Sequence, residues 1–460
     1  MAKPTLDWTL FSAADVRNAV RILEDVDGGV RDELGFLAIH QYFADRFFPG
    51  TSTQQTRLRY VFFVPWAIQQ IAEKRKSKSV REQLKRAEQL TAKNLSAYQS
   101  QTIAKQSKRT VLGVIGAKAR DQIAVTPPSI SYWTTLRRWN ICQHTRAEIL
   151  DGIQTEIKTP LSILKYDDDG DLLNDRWERF DKRFPVCPDD DLFNYDFTGS
   201  RTLPESLTYR LTEIERKYLH ERIERLPAIH LGDAVDGRIC LFAKLANLLK
   251  DAPEAAVSLH ELDHCWELVD SREFRSVLEL HDLQMLTEAR QLSALVLIGR
   301  ALYWATLETL QQNDVKNNGT SGSHGQSDTT KHRKRLQEVV KAQRHDALKV
   351  DLRNATIGEF LRDRAQLPLR QVLEASMSWL KSVNESPVLT PKWYRSFHDR
   401  FLSTEVYRKG PRAKLGKKEN RRGTVVSGAP EAYQLGYRWS VAKRFLCDLA
   451  GYYPSESMQE

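Results

Sequence analysis

Apolar residues recur at three- and four-residue spacing along much of the chain. Leu211, Ile214, Tyr218, Leu219 and Ile223 predict one amphipathic helix. Met285, Leu286, Ala289, Leu292, Leu295, Ile298 and Leu302 predict a second, long and buried. Strand signals are few. Arg59 to Trp66 is aromatic and β-branched, yet it runs into Ala67-Ile68-Gln69-Gln70-Ile71, which suits a helix equally well. The expected fold is mostly α and multi-domain, with short hairpins at most.

Polar punctuation divides the pattern. Residues 1–165 read as an N-terminal helical domain with a basic stretch, and 166–204 as an acidic, loop-rich junction. Helical domains follow at 205–311 and 331–460, the latter carrying a basic loop. Between them, 312–330 lacks the apolar residues needed to fold and reads as a flexible linker or loop. No run of about 18 apolar residues exists, so no membrane partner is expected. The opening lacks the basic-then-apolar pattern of a signal peptide, and a cytoplasmic location is the expectation. The five cysteines are scattered without a Cys-x-x-Cys pair, which fits reduced thiols and no zinc ribbon.

Charge changes the picture more by its distribution than by its sum. The net charge of +9 favours a polyanionic partner. Residues 71–120 hold 13 Lys/Arg against three acids, whereas 163–196 hold 11 acids against five bases. From Arg408 to Arg422 there are eight Lys/Arg, opposed only by Glu419 and interrupted by Gly410, Pro411 and Gly416. Such a loop suits contact with a phosphate backbone.

Two segments carry denser chemistry. In 31–66, Pro49-Gly50 signals a turn, and Thr51 or Ser52 can cap a following helix that includes Arg57 and Arg59. Asp32, Glu33 and Asp45 can neutralise these arginines inside a packed domain. The alternative is a phosphate or metal site built on Asp45, Thr51, Ser52, Arg57 and Arg59. In 127–141, two prolines precede a short helix on which Tyr132, Leu136 and Trp139 share a face while Arg137 and Arg138 point elsewhere. The chain then turns at Asn140. That order suits the recognition helix of a helix-turn-helix or winged helix, with Tyr132 and Trp139 in support, or a small hairpin held by its tryptophans.

The elements R-D-E-L-G, A-D-x-x-F-P-G-T-S, T-R-x-R-Y and P-W occur in this order between Arg31 and Trp66. Pro128-Ser129, Tyr132-Trp133 and Leu136-Arg137-Arg138-Trp139 follow, and Lys409 to Leu415 and Leu435 to Trp439 come near the end. In these motifs the chain resembles an uncharacterised bacterial family known only as a domain of unknown function. The resemblance implies a role in anti-phage gene neighbourhoods that also encode helicases and phospholipase D-like nucleases. It supplies no catalytic residues.

The sequence therefore reads as a nucleic-acid-binding, non-catalytic defence component that binds DNA beside a separate helicase or nuclease. Arg57, Arg59, Arg137, Arg138, Lys409, Arg412, Lys414, Lys417 and Lys418 are the expected phosphate contacts. No cofactor or metal is expected; G-x-x-x-x-G-K-[ST] and G-x-G-x-x-G are absent, which argues against nucleotide hydrolysis, and so is the G-x-S-x-G elbow. The competing enzyme readings are a metal-assisted nuclease on Asp32, Glu33 and Asp45, or a zinc hydrolase at His260-Glu261-Leu262-Asp263-His264. The latter has H-E-x-x-H spacing, but Asp263 sits between the ligands and no third ligand follows at fixed spacing. A scaffold whose basic face meets an acidic protein is the third reading.

Overall fold

The computed structural model describes residues 32–76, 78–103, 113–117, 124, 126–158, 179–189, 192–193, 195–196, 207–230, 233–317, 330–353, 355–390, 392–421 and 434–453. Helices dominate them. The sheet is one antiparallel pair, Pro227–His230 with Asp233–Ile239. The expected mostly α architecture is what forms.

The chain divides into two compact units, and neither is a continuous stretch. The first takes residues up to His40 together with Thr287–Leu435; the second takes Gln41–Leu286 and Gly436 onward. Each unit joins segments far apart in the sequence, unlike the consecutive blocks that composition suggests. Most of the acidic stretch, including 159–178 and 197–206, lies outside the described residues. The stretch expected to be a linker from 312 starts late: the helix Leu280–Asn317 continues to its last residue there, and 318–329 lie outside the described residues.

In the first unit, the helix Leu367–Ser382 begins with a proline in its first turn and buries Leu369, Val372, Leu373, Met377 and Leu380. It packs against Arg395–Lys409, which buries Phe397, Phe401, Thr404 and Glu405. That second helix ends at Gly410, whose φ of 55° favours glycine, and Pro411 follows. Phe36 lies so close to the helix Leu280–Asn317 that a Cβ on Gly299 would stand 2.7 Å from its ring.

In the second unit, Trp439–Ala450 buries Val441, Ala442, Phe445, Leu446 and Leu449 and packs on Leu241–Asp251, Ala255–Glu261 and Glu213–Ile223. The expected stripe of 211–223 is therefore real, although Ile214 faces solvent. Tyr60–Lys74 is almost wholly buried and packs on Val80–Ile103. Its start departs from expectation. Neither Thr51 nor Ser52 caps it; the helix begins at Tyr60 with Arg59 preceding. The reason is local competition for hydrogen bonds. Thr51 Oγ1 donates to Phe48 O, and the backbone amides of Thr56 and Arg57 donate to the Tyr132 hydroxyl. Residues 51–59 are thus held as an irregular segment.

Arg59 anchors the start of this helix. It is only 1% exposed, and its guanidinium donates two hydrogen bonds to Glu215, at 3.1 and 2.8 Å. Glu215 also completes a capping box with Thr212, so one carboxylate joins two helix starts. Removing one member of a buried pair leaves the other charge uncompensated. Arg59→Met should therefore cost about 3–5 kcal/mol in urea unfolding, with part recovered in Arg59→Met/Glu215→Gln. A loss below about 1 kcal/mol in the single variant would contradict this placement.

Candidate functional site

The second unit consumes most of the charged residues of its opening motif internally. Asp45 pairs with Arg438 at 2.6 Å, and Arg57 with Asp448 at 2.9 Å. The Arg57 guanidinium also sits over the rings of Tyr209 and Tyr453. Asp448 is fully buried and accepts a hydrogen bond from the Leu58 amide. Arg59 lies in the interior, so it is no surface phosphate contact in this arrangement.

Tyr132 and Trp139 are both sealed in the core. The Trp139 indole donates to Pro49 O at 3.0 Å, and a Cβ on Gly50 (φ 86°) would stand 2.9 Å from that nitrogen. The Pro-Gly turn and the tryptophan therefore require each other. Pro128–Ser131 and Trp133–Arg138 are short helices, and Asn140 takes the left-handed conformation expected of it (φ 55°). Arg146–Lys158 follows. The six-residue helix turns Trp133, Thr135 and Leu136 inward and exposes Thr134, Arg137 and Arg138. The sequence-predicted arginines are thus at the surface, on a helix of fewer than two turns. Among the described residues the antiparallel pair Pro227–His230 with Asp233–Ile239 comes much later in the chain, and next to this segment only a bridge between Cys142 and Phe180 occurs.

The first unit holds the more organised cluster. Asp32 pairs with Arg408 at 3.1 Å, and Glu33 receives both Lys409 (3.3 Å) and Lys414 (3.2 Å). Gly35 has φ 88°, and a Cβ on it would approach the Arg408 guanidinium at 3.2 Å. The motif Asp-Glu-Leu-Gly is therefore shaped to receive the cations that begin the basic loop. Lys414 is buried and lies over the Trp304 ring, and Lys409 is half-buried. Of the expected phosphate contacts here, these two face carboxylates instead.

The loop after Gly410 is built on further buried polar groups. Glu405, wholly buried, accepts from the Lys414 and Leu415 amides at 3.0 and 2.9 Å and from the Tyr303 hydroxyl at 2.6 Å. Burial, with Glu33 and Glu405 nearby, pushes the Tyr303 phenol well above its ordinary range, so it stays a donor. Arg421 donates to the carbonyls of Lys414 and Leu415 and pairs with Asp314 at 2.8 Å. Asn420 donates to Pro411 O and Ala413 O. Arg412 and Lys417 are left exposed and Lys418 half-exposed on a loop whose backbone is fixed. No sequence signal marked Glu405, Tyr303 or Asp314 as parts of this arrangement, because the pairs Tyr303-Glu405 and Asp314-Arg421 join residues far apart in the chain.

Residues 4–147 match DUF6361, a family of unknown function. No curated protein and no solved structure matches the chain. The matched segment contributes residues to both units. Its charged motif residues find partners beyond it. Asp32 and Glu33 use Arg408, Lys409 and Lys414, while Asp45, Arg57 and Arg59 use Arg438, Asp448 and Glu215.

The H-E-x-x-H pentapeptide does not form a zinc-binding helix. The helix Ala255–Glu261 stops at Leu262, which is extended, and His264 precedes a separate 3-10 turn where its ring stacks on Trp266. The two imidazoles therefore do not share a helix face. Asp32 pairs with Arg408, Glu33 with Lys409 and Lys414, and Asp45 with Arg438, and among the described residues no group of three or more His, Cys, Asp or Glu side chains could hold a metal ion.

Two outcomes follow. Burial pushes the Asp448 carboxyl up to about 6, outweighing Arg57, the Leu58 amide and Arg444. An unfolded aspartate titrates near about 3.9, so the folded state holds its proton more tightly. Stability should then fall as pH rises from about 4 to about 6, and Asp448→Asn should flatten that slope in pH-dependent thermal unfolding. An unchanged slope in the variant contradicts the assignment. In the first unit, Glu405→Ala should free the Lys414 and Leu415 amides, and limited trypsin cleavage at Lys414–Lys418 should quicken without global unfolding. Cleavage as slow as in the parent protein would show that Glu405 does not hold the loop.

Proposed function

We propose that the protein binds nucleic acid through the sugar-phosphate backbone, using the basic loop Gly410–Lys418 of the first unit. One observation carries the reading: the loop's cations are sorted into two sets. Lys409 and Lys414 both turn to the Glu33 carboxylate and Arg421 pairs with Asp314, while Lys417 stands exposed and Lys418 half-exposed on a backbone held by Glu405, Arg421 and Asn420. A surface loop that only needed solubility would not require buried carboxylates to fix its shape. A fixed loop loses little freedom on binding, which favours a phosphate track over a chance contact. Arg137 and Arg138 are further exposed cations suited to phosphate, in the second unit. Arg57, Arg59, Lys409 and Lys414 are withdrawn from the contact set, being committed to Asp448, Glu215 and Glu33.

The reading carries no chemistry by this chain and leaves helicase or nuclease action to a separate protein. The motif resemblance adds a place for such a pair in bacterial anti-phage defence. The acidic-partner scaffold remains the rival, since an acidic protein would meet the same cations.

Fluorescence anisotropy with labelled DNA across a salt series tests this. The unmodified protein should bind at low salt, with log affinity falling linearly against log salt. Lys417→Gln/Lys418→Gln should weaken binding at every sequence and reduce the slope by about 2. Absence of binding at low salt, or an unaltered slope in the double variant, removes the proposal.

A further inference from the structure

Resting on that backbone-binding reading, we infer that the strand taken by the loop is single-stranded, with Tyr407 as the platform on which a base stacks. Tyr407 is 71% exposed, an unusual state for a large aromatic side chain, and Val406 beside it is also exposed. It stands in the last turn of the helix Arg395–Lys409, just before the basic loop begins. The helix is held in place by its buried Phe397, Phe401, Thr404 and Glu405, so the ring is carried on a packed element. Spacing by three and four places Arg400, Ser403 and Tyr407 on one exposed stripe. A cation, a hydroxyl and an aromatic ring thus lead along the helix towards Arg412, Lys417 and Lys418.

The neighbouring cations do not cover the ring. Arg408 is drawn to Asp32 and Lys409 to Glu33, and among the described residues Tyr407 has no ring or cation partner. An exposed ring adds nothing to phosphate binding. It does offer a π-face, and an unpaired base has a free face to stack on it, whereas the bases of a duplex are already stacked on one another. Acids are sparse on this stripe: Asp399 lies one residue before Arg400, and Glu419 lies in the loop's last turn. The combination of a cationic track and an aromatic platform is the one that binds single strands with little sequence preference.

The experiment compares a single-stranded oligodeoxynucleotide with the duplex of the same sequence, using the full chain and its Tyr407→Ala, Tyr407→Phe and Lys417→Gln/Lys418→Gln variants. The parent protein should favour the single strand. Tyr407→Ala should weaken that binding roughly 5- to 150-fold, the range for loss of one stacked base, without altering duplex affinity or the salt slope. Tyr407→Phe should keep the single-strand affinity. Equal or tighter duplex binding by the parent, or a Tyr407→Ala variant that binds the single strand unchanged, overturns this inference and leaves the backbone reading standing. Absence of binding to either DNA overturns both, as does binding that is indifferent to Lys417 and Lys418. In that case an acidic protein becomes the occupant to seek.

Discussion

The eight Lys and Arg between positions 408 and 422 repel one another, and buried carboxylates offset part of that repulsion. Glu33 and Glu405 supply them in the first unit. Glu33 draws in Lys409 and Lys414, and Glu405 holds the amides of Lys414 and Leu415. Because both carboxylates are buried, each must be satisfied nearly completely, and the geometry around them is correspondingly strict. Tyr303, Arg421, Asp314 and the Gly410-Pro411 turn follow from that requirement rather than standing as separate features.

Buried ion pairs seldom add much net stability over a well-packed apolar core, since removing two charges from water costs about what their attraction returns. Their effect here is selection of one arrangement. Asp32 and Glu33 accept cations from the far end of the sequence in one unit; Asp45, Arg57 and Arg59 take equally distant partners in the other. This also explains why the charged opening motif need not form an active site. Its side chains bind the chain to itself, and the surface chemistry is left to cations that those pairs do not use.

Part of this was legible from sequence. The apolar spacing of Met285 to Leu302 marks the long helix, and the Pro49-Gly50 turn and the left-handed Asn140 follow from local backbone preference. An internal ion-pair network was one of the two readings of residues 31–66, but with the wrong partners: Asp32, Glu33 and Asp45 meet Arg408, Lys409, Lys414 and Arg438, not Arg57 and Arg59. Tyr132, Leu136 and Trp139 share a buried face, as their spacing requires. What sequence could not supply was partner choice. Nothing local links Arg59 to Glu215, Arg57 to Asp448 or Lys414 to Glu33, because a charge pair carries no periodic signature. The same blindness hid the interleaving of the two units and the distinction between inward and outward lysines of one loop. Tyr407 was overlooked for a related reason: its spacing is that of any helical residue, and only its exposure sets it apart.

Amide hydrogen exchange, read residue by residue with and without a single-stranded oligonucleotide, tests the central claim most directly. The account requires the amides of Lys414 and Leu415 to exchange slowly in the free protein, as donors to a buried carboxylate, and added protection on binding to concentrate between Tyr407 and Lys418. Exchange of those two amides at the rate of an open chain, or protection that arises elsewhere and spares this segment, would contradict it.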